Sequence, residues 1–175
     1  MPTVDTSHPE WQKMVSGQWY LTGAKLLSQA RAATKIRCQE INQLLPDSAE
    51  RLAKLQTLLP NVSPSSLSVG KQFYCDYGVN IFAAEGLSVG DNVVMLDASS
   101  IRFDKNVTLE DRVVISALTH HKDAKRRAQG WQQALPVMVG ENVVLGAGVT
   151  ICPGAIVPAN THVQAGTVVT APRNF

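Results

Sequence analysis

The sequence predicts a mainly β protein, a left-handed parallel β-helix preceded by an α-helical segment, and three observations carry that prediction. Between Val137 and Phe175 apolar residues recur every six positions, at Val139, Leu145, Ile151, Val157, Val163 and Val169. That period fits neither the 3.6 of a helix nor the alternation of a single strand. The position four residues after each of the first five is also apolar or small, at Val143, Val149, Ala155, Thr161 and Thr167. A weaker copy runs upstream, through Val89, Met95 and Ile101 and then, after a slip of two residues, through Phe103, Leu109 and Ile115. Three hexads close one coil with three flat sides. Val139 is therefore expected beneath Val157, Leu145 beneath Val163 and Ile151 beneath Val169, with strands roughly 4.8 Å apart. A sandwich of antiparallel strands would place turns every 8 to 12 residues or so and would not hold so strict a register.

In chain order, residues 1–65 form the helical segment. Trp11, Met14 and Val15 make an amphipathic turn ending near Gly17, a longer helix runs from about Lys25 to Leu45, and Asp47-Ser48 caps a third that Pro60 stops. The Pro- and Ser-rich stretch from Pro60 to Ser68 connects to the solenoid. Because an open coil exposes strand edges and core, the helices are expected to cover that end, or to contribute to a binding site. Residues 66–175 form the β-helix, interrupted by an excursion over 121–135. Bends between strands are expected at Gly90, Asp97, Asp104, Gly140, Gly146, Pro153 and Pro158.

Composition excludes several classes of function. The net charge of +2 is too small for a nucleic-acid protein. Cys38, Cys75 and Cys152 form an odd set without CxxC spacing, as in the reduced thiols of a cytoplasmic protein. No apolar leader opens the chain, and Gly146, Gly148, Pro153, Gly154 and Pro158 break the one long apolar stretch, so neither secretion nor a membrane span is expected. From Val137 onward only Glu141 and Arg173 are charged. So neutral a surface implies that part of it is covered, most economically by further copies of the chain around a closed axis.

The local text is more specific. Phe73-Tyr74-Cys75-Asp76-Tyr77-Gly78-Val79-Asn80-Ile81-Phe82, then Val94-Met95-Leu96-Asp97 and Leu118-Thr119-His120, together with Lys13-Met14-Val15-Ser16-Gly17-Gln18-Trp19-Tyr20, resemble the maltose and galactoside O-acetyltransferase branch of the hexapeptide-repeat acetyltransferases. The resemblance spans about residues 10 to 172. It implies a homotrimer with no bound cofactor, acting on acetyl-CoA as co-substrate and a small-molecule acceptor. It further implies that His120 is the general base, that the backbone N–H of Ala147 stabilises the oxyanion, and that Asp76, Ser88 and Asp97 contact the acceptor. CoA would lie along Gly146, Ala147, Ala165, Gly166 and Thr170. An imidazole, whose ordinary pKa is about 6.5, is partly neutral near neutral pH and can take a proton from an attacking hydroxyl.

Other histidines are weighed against this reading. The His120-His121 pair with His162 could suggest the zinc site of the γ-class carbonic anhydrases, which share the fold; neighbours in sequence point apart, so no metal is expected. The basic loop residues Lys122, Lys125, Arg126 and Arg127 could meet CoA phosphates or an acidic acceptor, or form a solvated face. Departures from the family pattern fall at Thr22, Ser88, Gly90 and Ala98 on the acceptor side and at Val144 and Ala171 on the donor side, and the text of the usual C-terminal arm is missing. They keep open an alternative: a trimeric CoA-binding or scaffold protein on the same fold with weakened catalysis.

Overall fold

The computed structural model describes residues 4–172. Short parallel strands stack into three sheets, with strands from successive coils as neighbours in each, and they build the left-handed β-helix. Val139 pairs with Val157, Leu145 with Val163 and Ile151 with Val169. Inside, the hexad residues of every coil form one continuous core, including Val89, Met95, Leu109, Ile115, Leu145 and Ile151.

The slip of two residues has a cause. In the early coils the register advances by 20, from Val69 to Val89 to Leu109, whereas it advances by 18 from Leu145 to Val163. The added pair widens one corner, between the strands Val94–Leu96 and Ile101–Phe103. In the next coil the chain leaves the solenoid at that same corner, between Val114–Ser116 and Val137–Val139.

The expected bends lie close to the real ones. Left-handed backbone occurs two residues beyond five of the seven expected positions, at Asn92 (φ 59°), Asn106 (φ 56°), Asn142 (φ 55°), Gly148 (φ 70°) and Asn160 (φ 59°), and one residue beyond Pro153 at Gly154 (φ 78°), with none two residues beyond Asp97; asparagine tolerates positive φ. Asn106, Asn142 and Asn160 also bond along the stack, with Nδ2 to Oδ1 distances of 3.3 and 3.0 Å. Gly140 and Gly146 are required by proximity instead: a Cβ there would lie 2.5 Å from the nitrogen of Ala159 and 2.6 Å from that of Ala165.

Helices α1 (Pro9–Val15), α2 (Lys25–Asn42) and α3 (Ala49–Leu58) precede the solenoid. Ser48 caps α3, its Oγ accepting from the Arg51 N–H at 3.2 Å. Of these, α2 and α3 close the first coil, whose strands have no coil below them. Asn42 donates Nδ2–H to the Phe73 carbonyl at 2.9 Å and accepts the Phe73 N–H at 3.0 Å, replacing a missing strand partner. The buried Arg51 guanidinium donates to the carbonyls of Val69 and Gly70. Val62 bridges to Ala83 on the third side.

The N-terminal segment is not wholly helical. Trp19–Leu21 is a strand pairing antiparallel with Trp131–Ala134, which pairs in turn with Leu118–His120. Three residues are too few to show a period, so sequence patterning missed it. The excursion therefore begins at Leu118 as a strand, and it carries one short helix, α4 (Ala124–Ala128). Beneath the small sheet Trp11, Met14, Tyr20, Leu27, Tyr77, Ala98 and Ala134 form a second apolar cluster. No helix among the described residues is long and apolar enough to cross a membrane.

Candidate active site

Strand register assembles the site around the histidine. Tyr20 and His120 both pair with Gln132 across the small sheet, so three segments distant in sequence present one side chain each to one face. The Tyr20 hydroxyl bonds Gln132 Oε1 at 3.0 Å, and Gln132 Nε2 lies 3.5 Å from His120 Nδ1. His120 is exposed, whereas Tyr20 is buried, and its burial holds the phenol well above the ordinary tyrosine range. His121 points elsewhere: its ring packs on Trp19 with centroids 4.4 Å apart, and its Nδ1 accepts the Asp123 N–H at 2.9 Å.

A cavity of about 210 Å³ opens beside this face, lined by Tyr20, Thr22, Arg31, Asp76, Tyr77, Leu96, Ala98, Leu118 and Gln132. Arg31 crosses it, donating Nη1–H to the Tyr77 hydroxyl and Nη2–H to the Thr22 carbonyl, both at 2.7 Å. Burial raises the Asp76 carboxyl above its usual range, and Arg31 opposes that shift. Burial likewise pushes the Tyr77 phenol up to about 12. The cavity thus offers a guanidinium, a carboxyl, an amide and two phenols against an apolar floor, a set suited to a polyhydroxylated molecule.

Of the three sequence-derived acceptor residues, only Asp76 lines this cavity. Asp97 requires correction, because it is fully buried and its carboxyl is turned away. It accepts the N–H groups of Asp76 at 3.0 Å, Tyr77 at 2.8 Å and Asn80 at 3.2 Å. Burial pushes it up to about 7, while the bonds from Tyr77 and Asn80 pull downward. Asp97 therefore shapes the cavity wall without touching its contents. Ser88 is exposed on a different sheet, beside Ser68 and Thr108, and does not line the cavity. Sequence reading missed Arg31 and Gln132. Arg31 did leave a signal, since it sits on the otherwise buried stripe of Leu27, Thr34, Cys38 and Ile41 in α2.

Four of the donor-side residues, Gly146, Ala147, Ala165 and Gly166, follow one corner of the last coils, whereas Thr170 follows the strand Val168–Val169 at the next corner. At the first of these corners Gly166 N–H donates to the Ala147 carbonyl at 2.9 Å; Gly146 is buried, Ala147 half-buried, and Ala165, Gly166 and Thr170 exposed. At the same level in earlier coils, backbone N–H groups point outward to carboxylates. Lys71 N–H donates to Asp91 Oδ1 at 2.7 Å and Asp91 N–H to Asp111 Oδ1 at 2.8 Å. Above Ala147 stands Ala165, which has no acceptor to offer, and the Ala147 N–H meets Glu110 Oε2 from below at 2.8 Å. The corner at Ala147 is not the one from which His120 rises. His162 lies on the outer side of the strand His162–Val163, paired with Val144, and no group of three metal-ligating side chains occurs among the described residues.

Known proteins give the arrangement a context. Residues 13–63 match the maltose acetyltransferase hexapeptide capping motif and residues 136–171 the hexapeptide repeat of succinyl-transferase. A Saccharomyces cerevisiae protein named as an acetyltransferase is 34% identical over 143 residues, covering 82% of this chain and 73% of its own. A maltose O-acetyltransferase from Clostridium difficile superposes with a TM-score of 0.84 at 32% identity, over 95% of this chain and 90% of that one. A hexapeptide-repeat acetyltransferase from Vibrio cholerae, solved with acetyl-CoA, gives 0.81 at 26%, over 95% and 91%.

Proposed function

The chain belongs to the hexapeptide-repeat acetyltransferases of the maltose acetyltransferase type, and on that premise we propose that it transfers acetyl from acetyl-CoA to a hydroxyl of a sugar or sugar-like acceptor. His120 is the general base, at a cleft completed by a neighbouring subunit of a homotrimer. The carrying observation is the excursion that lifts His120 out of the solenoid beside a cavity lined by Arg31, Asp76 and Gln132.

The chemistry balances on these groups. The acceptor hydroxyl gives its proton to the imidazole as its oxygen attacks the thioester carbon. The resulting oxyanion takes the Ala147 N–H of the adjoining subunit. When the tetrahedral intermediate collapses, the carbon–sulfur bond breaks and the imidazolium returns the proton to the CoA thiolate. For Nε2 to act as the base, Nδ1 must carry the ring proton. Because Gln132 aims Nε2 at Nδ1 and Oε1 at the Tyr20 hydroxyl, this tautomer requires the amide to turn over, presenting its oxygen to Nδ1–H and its nitrogen to the Tyr20 oxygen. Asp76 holds an acceptor hydroxyl, Ser88 enters the cleft from the neighbouring chain, and CoA lies along Gly146, Ala147, Ala165, Gly166 and Thr170.

The test is thiol release from acetyl-CoA with a panel of sugars. His120→Ala is expected to reduce turnover by about a hundred- to ten-thousand-fold, and turnover at the wild-type rate would remove the assigned base. One observation favours the alternative of a CoA-binding protein with weakened catalysis: the proposed oxyanion donor is already bonded to Glu110. Calorimetric binding of CoA with no turnover on any hydroxyl would select that alternative.

A further inference from the structure

Glu110 is a residue that neither the acceptor cavity nor the base requires. It is anchored by its own N–H to the Leu145 carbonyl at 2.9 Å, so its backbone is fixed in the ladder between coils. Its side chain is exposed and makes no ion pair among the described residues. The bond it makes is to the Ala147 N–H, at 2.8 Å. In the lower coils the equivalent outward N–H groups are filled by Asp91 and Asp111, each reaching down from the coil above. Asp111 cannot be repeated at Ala147, because the residue above it is Ala165, and Glu110 reaches up from below instead.

We propose that Glu110 is a displaceable occupant of the oxyanion donor, a carboxylate that stands where the thioester oxygen must go and swings into solvent when acetyl-CoA arrives. The inference rests on the assignment of Ala147 as that donor. A carboxylate oxygen on a backbone N–H mimics the developing oxyanion in charge and distance. Only side-chain torsions need change to release it, since the ladder bond stays. Glu110 is thus a positioning residue whose removal favours the reaction, and it acts on the acyl carbonyl in particular. Free CoA has no such carbonyl and does not call on this N–H.

The test compares Glu110→Ala, Glu110→Gln and wild type, with steady-state turnover of acetyl-CoA and calorimetric binding of CoA. Glu110→Ala is expected to raise kcat/KM for acetyl-CoA by about three- to ten-fold, the size of one exposed hydrogen bond, with Kd for CoA unchanged. Glu110→Gln keeps an acceptor on the N–H without the charge and is expected between the two. Turnover equal to or below wild type in Glu110→Ala would overturn the proposal. So would equal gains in both variants accompanied by tighter CoA binding, which would mean simple repulsion of the cofactor phosphates. His120→Ala run alongside keeps the two questions apart: its loss of turnover upholds the base whatever Glu110 does, and its survival removes the base alone.

Discussion

Asp97 shows what a single buried carboxyl can do without meeting a ligand. Its oxygens gather the N–H groups of Asp76, Tyr77 and Asn80, and its own carbonyl accepts from Asn80 Nδ2 at 2.8 Å. The wide corner that bears Asp76 is thereby held in one shape. With its pKa at about 7 in the folded chain against about 3.9 unfolded, the folded state binds the extra proton between those values. Stability from this group is therefore present at low pH and falls as pH rises toward 7, by at most about 1.4 kcal/mol per unit. Asp97→Asn removes the titration. The stability difference between wild type and Asp97→Asn, measured by urea unfolding, is expected to move against wild type from pH 5 to 7 and then level off; a difference independent of pH would show that Asp97 is ionised throughout. The sequence placed Asp97 in the right corner and in the wrong role. A carboxylate flanked by Leu96 and Ala98 reads the same whether it faces a ligand or backbone, and only the fold of residues 76–80 over it decides. Tyr20 was illegible for a related reason, since its bond to Gln132 depends on a strand pairing across 112 residues, and Gln132 meets His120 only through the pairing of two short excursion strands.

At the scale of elements, the solenoid was the most legible part because its register is written directly in the spacing of side chains that touch. The cap was legible only as a need. What meets the need is a pair of polar side chains, Asn42 and Arg51, doing the work of an absent coil. Arg51 lies on the buried stripe of α3 with Leu55 and Leu58, the same pattern that marks Arg31 in α2. A cation on an apolar stripe is a sign that backbone or ligand oxygens await it, and here one arginine seals an edge while the other lines the cavity. Burial lowers the Arg51 pKa, with Asp47 and Asp91 opposing. Arg51→Met keeps the bulk but leaves the carbonyls of Val69 and Gly70 without donors, at a cost of about 2–4 kcal/mol. The urea midpoint is expected to fall accordingly with an unchanged slope. A midpoint within error of wild type would mean that water replaces the guanidinium freely and that the cap is held by packing alone.

At the scale of the whole molecule, the proposed reaction calls for more than one chain. His120 rises from one corner of the triangle and the Ala147 N–H faces out from another, so the proposed base and the proposed oxyanion donor converge only if a second copy brings its own corner alongside. The surface supplies a means. Met138 and Ile156 pair in register on the outer side of one sheet and are 50% and 55% exposed; below them Arg102 stacks over the Phe82 ring at 4.2 Å. An apolar column at that level of exposure, on coils almost free of charge, is a surface fit for burial against another copy. Placing charges in it by the double substitution Met138→Glu and Ile156→Glu leaves the inward core residues Val139 and Val157 untouched, so the coils themselves are expected to stay folded by circular dichroism. Light scattering is expected to show the proposed trimer dissociating to monomer. Acetyl transfer is expected to disappear with it, because the two halves of the reaction centre separate. His120→Ala, by contrast, should remain trimeric while inactive. A monomeric double variant that still turned over acetyl-CoA would place base and oxyanion donor within one chain and end the case for a shared cleft; a variant that stayed trimeric would move the interface to another face of the triangle.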